Sequence, residues 1–137
     1  MASVKVVADI GASADAVWGL FQDFGGITRF SRGIESCSVE GEGVGAVRTL
    51  TLAGGVHLQE RLESLDNSAR SLSYAIIGEN PLPFDNYLST VRIAEKGPGC
   101  TVEWSSTYEP TGPEEQVASL VESIYRGGIG GIKKLLE

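Results

Sequence analysis

The sequence predicts an α+β domain: a first strand, two short helices, six consecutive antiparallel strands and one long C-terminal helix. Two observations carry this reading. Between residues 34 and 109 apolar and polar residues alternate with period two, interrupted by turn signals. On either side of that stretch the apolar residues fall at helical spacing instead. Helices and strands are therefore segregated along the chain, and a curved seven-stranded sheet with a long helix across it has a concave side. At 137 residues the chain has single-domain size, with residues 1–137 expected to form one unit that buries about two thirds of its extended surface.

VKVVA (4–8) is a β-branched run and reads as the first strand. The start, MASVKVVADIG, has Lys5 as its one basic residue and too short an apolar part for a secretory signal. Ser13 is placed to cap a helix over ADAVWGLFQDF, in which Val17, Leu20, Phe21 and Phe24 share a face. Gly25 and Gly26 should end it, with ITRFSRG as a second short helix or turn whose Ile27 and Phe30 fold back. Strands are expected near 34–40, 45–52, 56–65, 70–77, 86–94 and 100–109, with turns at GEG (41), AGG (53), DNSA (66), ENPLPFD (79) and EKGPG (95). Pro113, Glu114 and Glu115 open the last helix, whose stripe of Val117, Leu120, Val121, Ile124, Tyr125, Ile132 and Leu135 should lie on the sheet.

Composition narrows the function classes. Eleven basic and 18 acidic residues give a net charge of -7 with no basic cluster, which argues against nucleic acid and anionic membranes as partners. No apolar run approaches the roughly 18 residues of a membrane span. Cys37 and Cys100 lack metal-ligand spacing and read as reduced, buried small hydrophobes, so the expected compartment is the cytoplasm. There is no Ser-His-Asp arrangement and no metal or phosphate motif, and no cofactor is expected. The exposed sheet edges permit a homodimer without requiring one.

The stretch GAVRTLTLAGGVHLQERLESLD (45–66) places two charges among leucines. Ala46, Arg48, Leu50 and Leu52 share one strand face, and Val56, Leu58, Glu60 and Leu62 share another. The two apolar faces coincide across a hairpin only if the loop has three residues, Ala53 to Gly55. That register pairs Leu52 with Val56, Leu50 with Leu58 and Arg48 with Glu60, and it gives Gly55 the left-handed position. His57 then faces outward. A buried ion pair carries a desolvation penalty of several kcal/mol per ion, so Arg48 and Glu60 stand out as candidate catalytic residues, against the alternative of a salt bridge that holds the strand ends.

The same parity sends Leu72, Tyr74 and Ile76, then Tyr87, Ser89, Val91 and Ile93, then Val102, Trp104, Ser106 and Tyr108 to the concave side. Candidate ligand contacts on the hairpin are Leu50, Leu58 and Leu62. The later strands add Tyr74, Ile76, Tyr87, Ser89, Trp104, Ser106 and Tyr108, and the last helix adds Leu120, Ile124 and Gly128. Core packing is the competing role for these aromatics. Interior glycines in a helix cost about 1 kcal/mol each against alanine, so GGIGG (127–131) implies close approach of the helix to the sheet or a ligand, a bend, or a loosened helix end.

The order of elements, together with VWGLFQDFGG, ERLESLD, SLSYAIIGENPLPFDNYLSTVRI, CTVEWSSTYEP and YRGGIGGIKKLLE, resembles the SRPBCC (START or Bet v 1-like) superfamily over nearly the whole chain. The similarity is greatest to its polyketide cyclase/dehydrase and lipid-transport group. The resemblance implies a helix-grip fold, with a cavity for hydrophobic small molecules between a seven-stranded sheet and the C-terminal helix. It implies mouth loops at Ala53–Gly55 and Glu79–Asn86, the first much shorter than the gate of hormone receptors in the superfamily. Phe30 stands where the bacterial group usually has tryptophan. Plant members resembling lachrymatory factor synthase use an arginine and a glutamate on this hairpin, and Arg48 and Glu60 match by motif position. The expected partner is thus a small hydrophobic or aromatic molecule. Cyclase, dehydratase or isomerase chemistry by the Arg-Glu pair is one outcome, and a non-catalytic lipid or small-molecule carrier is the alternative.

Overall fold

In the computed structural model, which describes residues 1–137, β1 (Ala2–Ile10) leads into α1 (Ala14–Gln22) and then a 3-10 helix (Phe24–Arg29). Ser13 caps α1, its Oγ accepting from the Ala16 N–H at 3.1 Å. Six strands follow: β2 (Ile34–Glu40), β3 (Val47–Leu52), β4 (His57–Asp66), β5 (Ser71–Ile77), β6 (Phe84–Lys96) and β7 (Gly99–Pro110). The chain closes with α2 (Glu114–Leu136). All seven strands form one antiparallel sheet in the order β1-β7-β6-β5-β4-β3-β2. The single crossover is β1, which pairs with β7 from Ala2↔Tyr108 to Ile10↔Cys100. This is the helix-grip α+β arrangement.

The hairpin register matches the face argument, with Arg48 opposite Glu60 and Leu50 opposite Leu58. The Leu52 N–H donates to the Val56 carbonyl at 2.7 Å, and Gly54 and Gly55 both take left-handed φ values, 89° and 81°. Val56 itself is exposed, because β4 begins one residue later and no strand covers the turn.

Three local expectations are corrected. The 3-10 helix begins at Phe24, so Gly25 and Gly26 lie inside it and do not separate two helices. β6 starts at Phe84, because Asn86 adopts φ 52° and the register slips between Asp85 and Leu88, which lets pairing with β7 resume on both sides. The opening of α2 is as expected, with Pro113 as its cap residue, whose carbonyl accepts from the Val117 N–H at 3.0 Å. Cys37 is only half-buried, being on edge strand β2, whereas Cys100 is buried; both thiols are free.

The largest correction concerns α2. Its buried line is Val117, Val121, Tyr125, Gly128, Ile129 and Ile132, while Ile124 and Leu135 are 44% and 46% exposed and Leu120 is half-buried. The helix touches the sheet along a narrow line because its flank borders open space. Gly128 and Gly131 set the closeness of that contact. A Cβ on Gly128 would lie 2.8 Å from Trp104 Cζ3, and one on Gly131 would collide with the Phe30 carbonyl oxygen. Phe21, Phe24, Ile27 and Phe30 complete the core beneath the helix.

Candidate functional site

Arg48 and Glu60 project from adjoining strands to the concave face, where their side chains are only 6% and 8% exposed. The Arg48 Nε donates to Glu60 Oε1 at 2.8 Å, and its Nη2 lies 2.7 Å from the same oxygen. Nη1 donates to the Phe24 carbonyl at 3.1 Å. Two aromatic rings lie against the guanidinium, with Cζ 4.0 Å from the Phe24 ring centroid and 4.8 Å from that of Tyr74. Arg48 is thus held by Glu60, Phe24 and Tyr74, and it is not among the residues lining the adjoining pocket. Glu60 does line it. Arg48 fixes Glu60 Oε1, while Oε2 makes no hydrogen bond, so the carboxylate keeps acceptor capacity at the pocket wall.

The pocket, about 740 Å³, lies between the sheet, the segment from Ile27 to Ile34 and the glycine-rich half of α2. Its deep walls are Ile27, Leu50, Leu58, Tyr74, Phe84, Tyr87 and Trp104, all buried. Exposed residues Arg32, Gly33, Ala53, Ser123, Ile124, Gly127, Gly130 and Lys134 make its rim. Of the residues predicted from sequence, Leu50, Leu58, Glu60, Tyr74, Ile76, Tyr87, Trp104, Ile124 and Gly128 line it. Arg48, Leu62, Ser89, Ser106, Tyr108 and Leu120 do not. The last helix faces the pocket with glycine: a Cβ on Gly127 or Gly130 would meet nothing within 4 Å. Those two positions widen the pocket, in contrast to Gly128 and Gly131.

A polar cluster backs the aromatic wall. Trp104 Nε1 donates to Tyr74 OH at 3.2 Å and to Ser89 Oγ at 3.1 Å. Ser89 Oγ shares a hydrogen bond with Tyr125 OH at 3.1 Å, and Tyr125 OH shares a short one with Tyr87 OH. Tyr125 stacks on Trp104 at 4.7 Å between centroids. Burial, above all, raises the phenol pKa values of Tyr74, Tyr87 and Tyr125, so these groups remain neutral donors and acceptors across the physiological range. Ser106 Oγ and Tyr108 OH are enclosed without a partner. His57 faces outward beside Thr51, 3.3 Å from its Oγ1 to Nδ1.

Sequence reasoning did not single out Ser31, Arg32, Gly33 or Lys134, which line the pocket from the segment before β2 and the end of α2, and it took in Leu82 and Phe84 only as part of the mouth loop Glu79–Asn86. Loop residues carry no periodicity, so face assignment had no purchase on them. Lys134 was legible in principle, since it continues the helical spacing of Gly127, Gly130 and Gly131.

Comparison with known proteins agrees with this fold. The profile of the family described as "Polyketide cyclase / dehydrase and lipid transport" matches residues 1–137. MLP-like protein 423 of Arabidopsis thaliana is 27% identical over 123 residues, spanning 81% of this chain and 78% of that protein. The abscisic acid receptor PYL6 of the same plant is 27% identical, over 96% of this chain and 67% of the receptor. The solved structure of the protein XoxI from Bacillus cereus superposes with a TM-score of 0.91 at 29% identity, covering 99% of this chain and 96% of that one.

Proposed function

We propose, from the premise that the chain belongs to the polyketide cyclase/dehydrase and lipid-transport family, that it binds a small hydrophobic or aromatic molecule in the pocket beneath α2 and anchors it on Glu60. The single observation that carries this reading is the Glu60 carboxylate. It is the one acid on the pocket lining, held on one oxygen by Arg48 and without a hydrogen bond on the other. An apolar pocket with one oriented acceptor selects a ligand with an apolar body and a hydroxyl or similar donor at its inner end. The similarity to a plant receptor for abscisic acid, a small organic molecule, supports a ligand of that size.

Arg48 serves in this reading as a positioning residue, because its Nε and Nη2 hold Glu60, its Nη1 holds the Phe24 carbonyl, and it does not line the pocket. The function favoured is therefore that of a binding protein or carrier. The catalytic reading rests on the same carboxylate: Glu60, in an apolar surround and within reach of a bound carbonyl compound, is placed to move a proton in a dehydration or isomerisation. A cytoplasmic setting suits the two free thiols.

A thermal-shift screen of hydroxylated aromatic carbonyl compounds tests both readings. Compounds that raise Tm in the wild type should lose their effect in Gly127→Phe, whose new ring would fill the pocket. Compounds that shift Tm equally in both proteins would place binding elsewhere. Binders are then incubated with wild type and Glu60→Gln: turnover that disappears in the variant supports catalysis, and no turnover in the wild type supports the carrier.

A further inference from the structure

The rim of the pocket has a charge opposite to that of the protein. The chain carries 18 acidic and 11 basic residues, yet the charged side chains lining the pocket are Arg32, Glu60 and Lys134. Glu60 is already matched by Arg48. Arg32 and Lys134 are exposed, and neither takes part in the ion pairs of the molecule, which engage Lys5, Arg48, Arg61, Arg70, Lys96 and Arg126. No carboxylate stands on the rim to neutralise them.

The glycines of α2 bring the two segments that carry these cations into contact. Gly131 abuts the Phe30 carbonyl, and Ser31 Oγ lies 3.5 Å from where a Gly128 Cβ would be. Arg32 follows Ser31 directly, and Lys134 stands about one helical turn beyond Gly131 on the row that faces the pocket. Two unpaired cations at the mouth of an apolar pocket focus a positive potential there, even on an acidic protein.

From this juxtaposition we infer that the ligand is an amphiphile with an anionic group, a carboxylate or sulfonate, held at the mouth by Arg32 and Lys134. Its apolar body runs inward past Leu50, Leu58 and Trp104 toward Glu60. The inference rests on the ligand-binding reading above and adds the charge and direction of the bound molecule. A free carboxylate at the inner end would meet Glu60 and be repelled, so the polar ends of the pocket are not interchangeable.

Two fluorescent probes separate the inference from the reading beneath it: anilinonaphthalene sulfonate, and phenylnaphthylamine, which keeps the aromatic body without the sulfonate. Their affinities are measured for wild type and for the double variant Arg32→Gln, Lys134→Gln, with circular dichroism confirming that both are folded. The expected result is that the variant binds the sulfonate roughly tenfold more weakly and the neutral probe unchanged, since two exposed charge contacts are each worth up to about a factor of five. Wild-type affinity for the sulfonate alone should fall as salt is added. Binding of both probes that the double substitution leaves unaltered would overturn the anion site and leave the pocket reading intact. Failure of the wild type to bind either probe would overturn both.

Discussion

The guanidinium of Arg48 lies 4.0 Å from the ring centroid of Phe24 and donates to the carbonyl oxygen of that same residue. One residue of the 3-10 helix thus meets the arginine with both its ring and its backbone, tying the segment that precedes β2 to the middle of the hairpin. The ion pair to Glu60 is the other half of this arrangement. Because Glu60 lines the pocket and Arg48 does not, Glu60 is the member of the pair that the pocket can use.

Removing one charge should hurt far more than removing both. Arg48→Met leaves Glu60 buried without a counter-ion and is expected to lower stability by about 3–5 kcal/mol. The double variant Arg48→Met, Glu60→Leu should recover most of that loss, since apolar replacements of a buried pair are often neutral or better. Urea unfolding of the single and double variants checks this. Equal losses in both would mean that the pair itself stabilises the fold.

The four glycines of GGIGG should divide in two. Gly128→Ala and Gly131→Ala push α2 away from Trp104 and the Phe30 carbonyl and are expected to destabilise. Gly127→Ala and Gly130→Ala add helix propensity into open space and should stabilise by about 0.5–1 kcal/mol. The same two substitutions narrow the pocket, so ligand affinity should fall as stability rises. Thermal melts with and without a binder measure both signs in one experiment.

Alkaline pH should unfold the protein through its tyrosines. Burial raises the pKa values of Tyr74, Tyr87 and Tyr125, and Tyr108 is raised as well. The folded state therefore keeps phenol protons that the unfolded chain releases near pH ~10. Their contribution is complete below that pH and is lost as pH rises toward the folded values, with a slope of about -1.4 kcal/mol per pH unit for each fully differing group. Phenolate absorbance should stay low in the native protein above pH ~10 and appear together with loss of structure. Normal tyrosine titration without unfolding would contradict the buried cluster.

Much of this architecture is legible in the sequence, for identifiable reasons. Strand parity is strict, so the pairing of Arg48 with Glu60 followed from matching leucine faces across a three-residue loop. Parity gives the face of a side chain but not what meets it there. Nothing in the spacing of Phe24 and Arg48 indicates that the ring and carbonyl of one would enclose the guanidinium of the other, which is why Arg48 looked equivalent to Glu60. The helix stripe misplaces Ile124 because periodicity assumes a continuous partner surface, whereas α2 borders a pocket there, and it misplaces Leu135 at the exposed end of the helix. The basic rim arises from a loop and a helix end, where neither pattern applies.

The most direct test of the central claim is a comparison of two ligands of nearly equal shape, naphthol and methoxynaphthalene, titrated against wild type and Glu60→Gln with tryptophan fluorescence as the signal, since Trp104 lines the pocket. The account predicts that the wild type prefers the hydroxyl compound by about tenfold, the scale of a hydrogen bond to a charged acceptor, and that the preference shrinks in Glu60→Gln. Equal binding of the two compounds by the wild type, or a preference that survives the substitution undiminished, would contradict it.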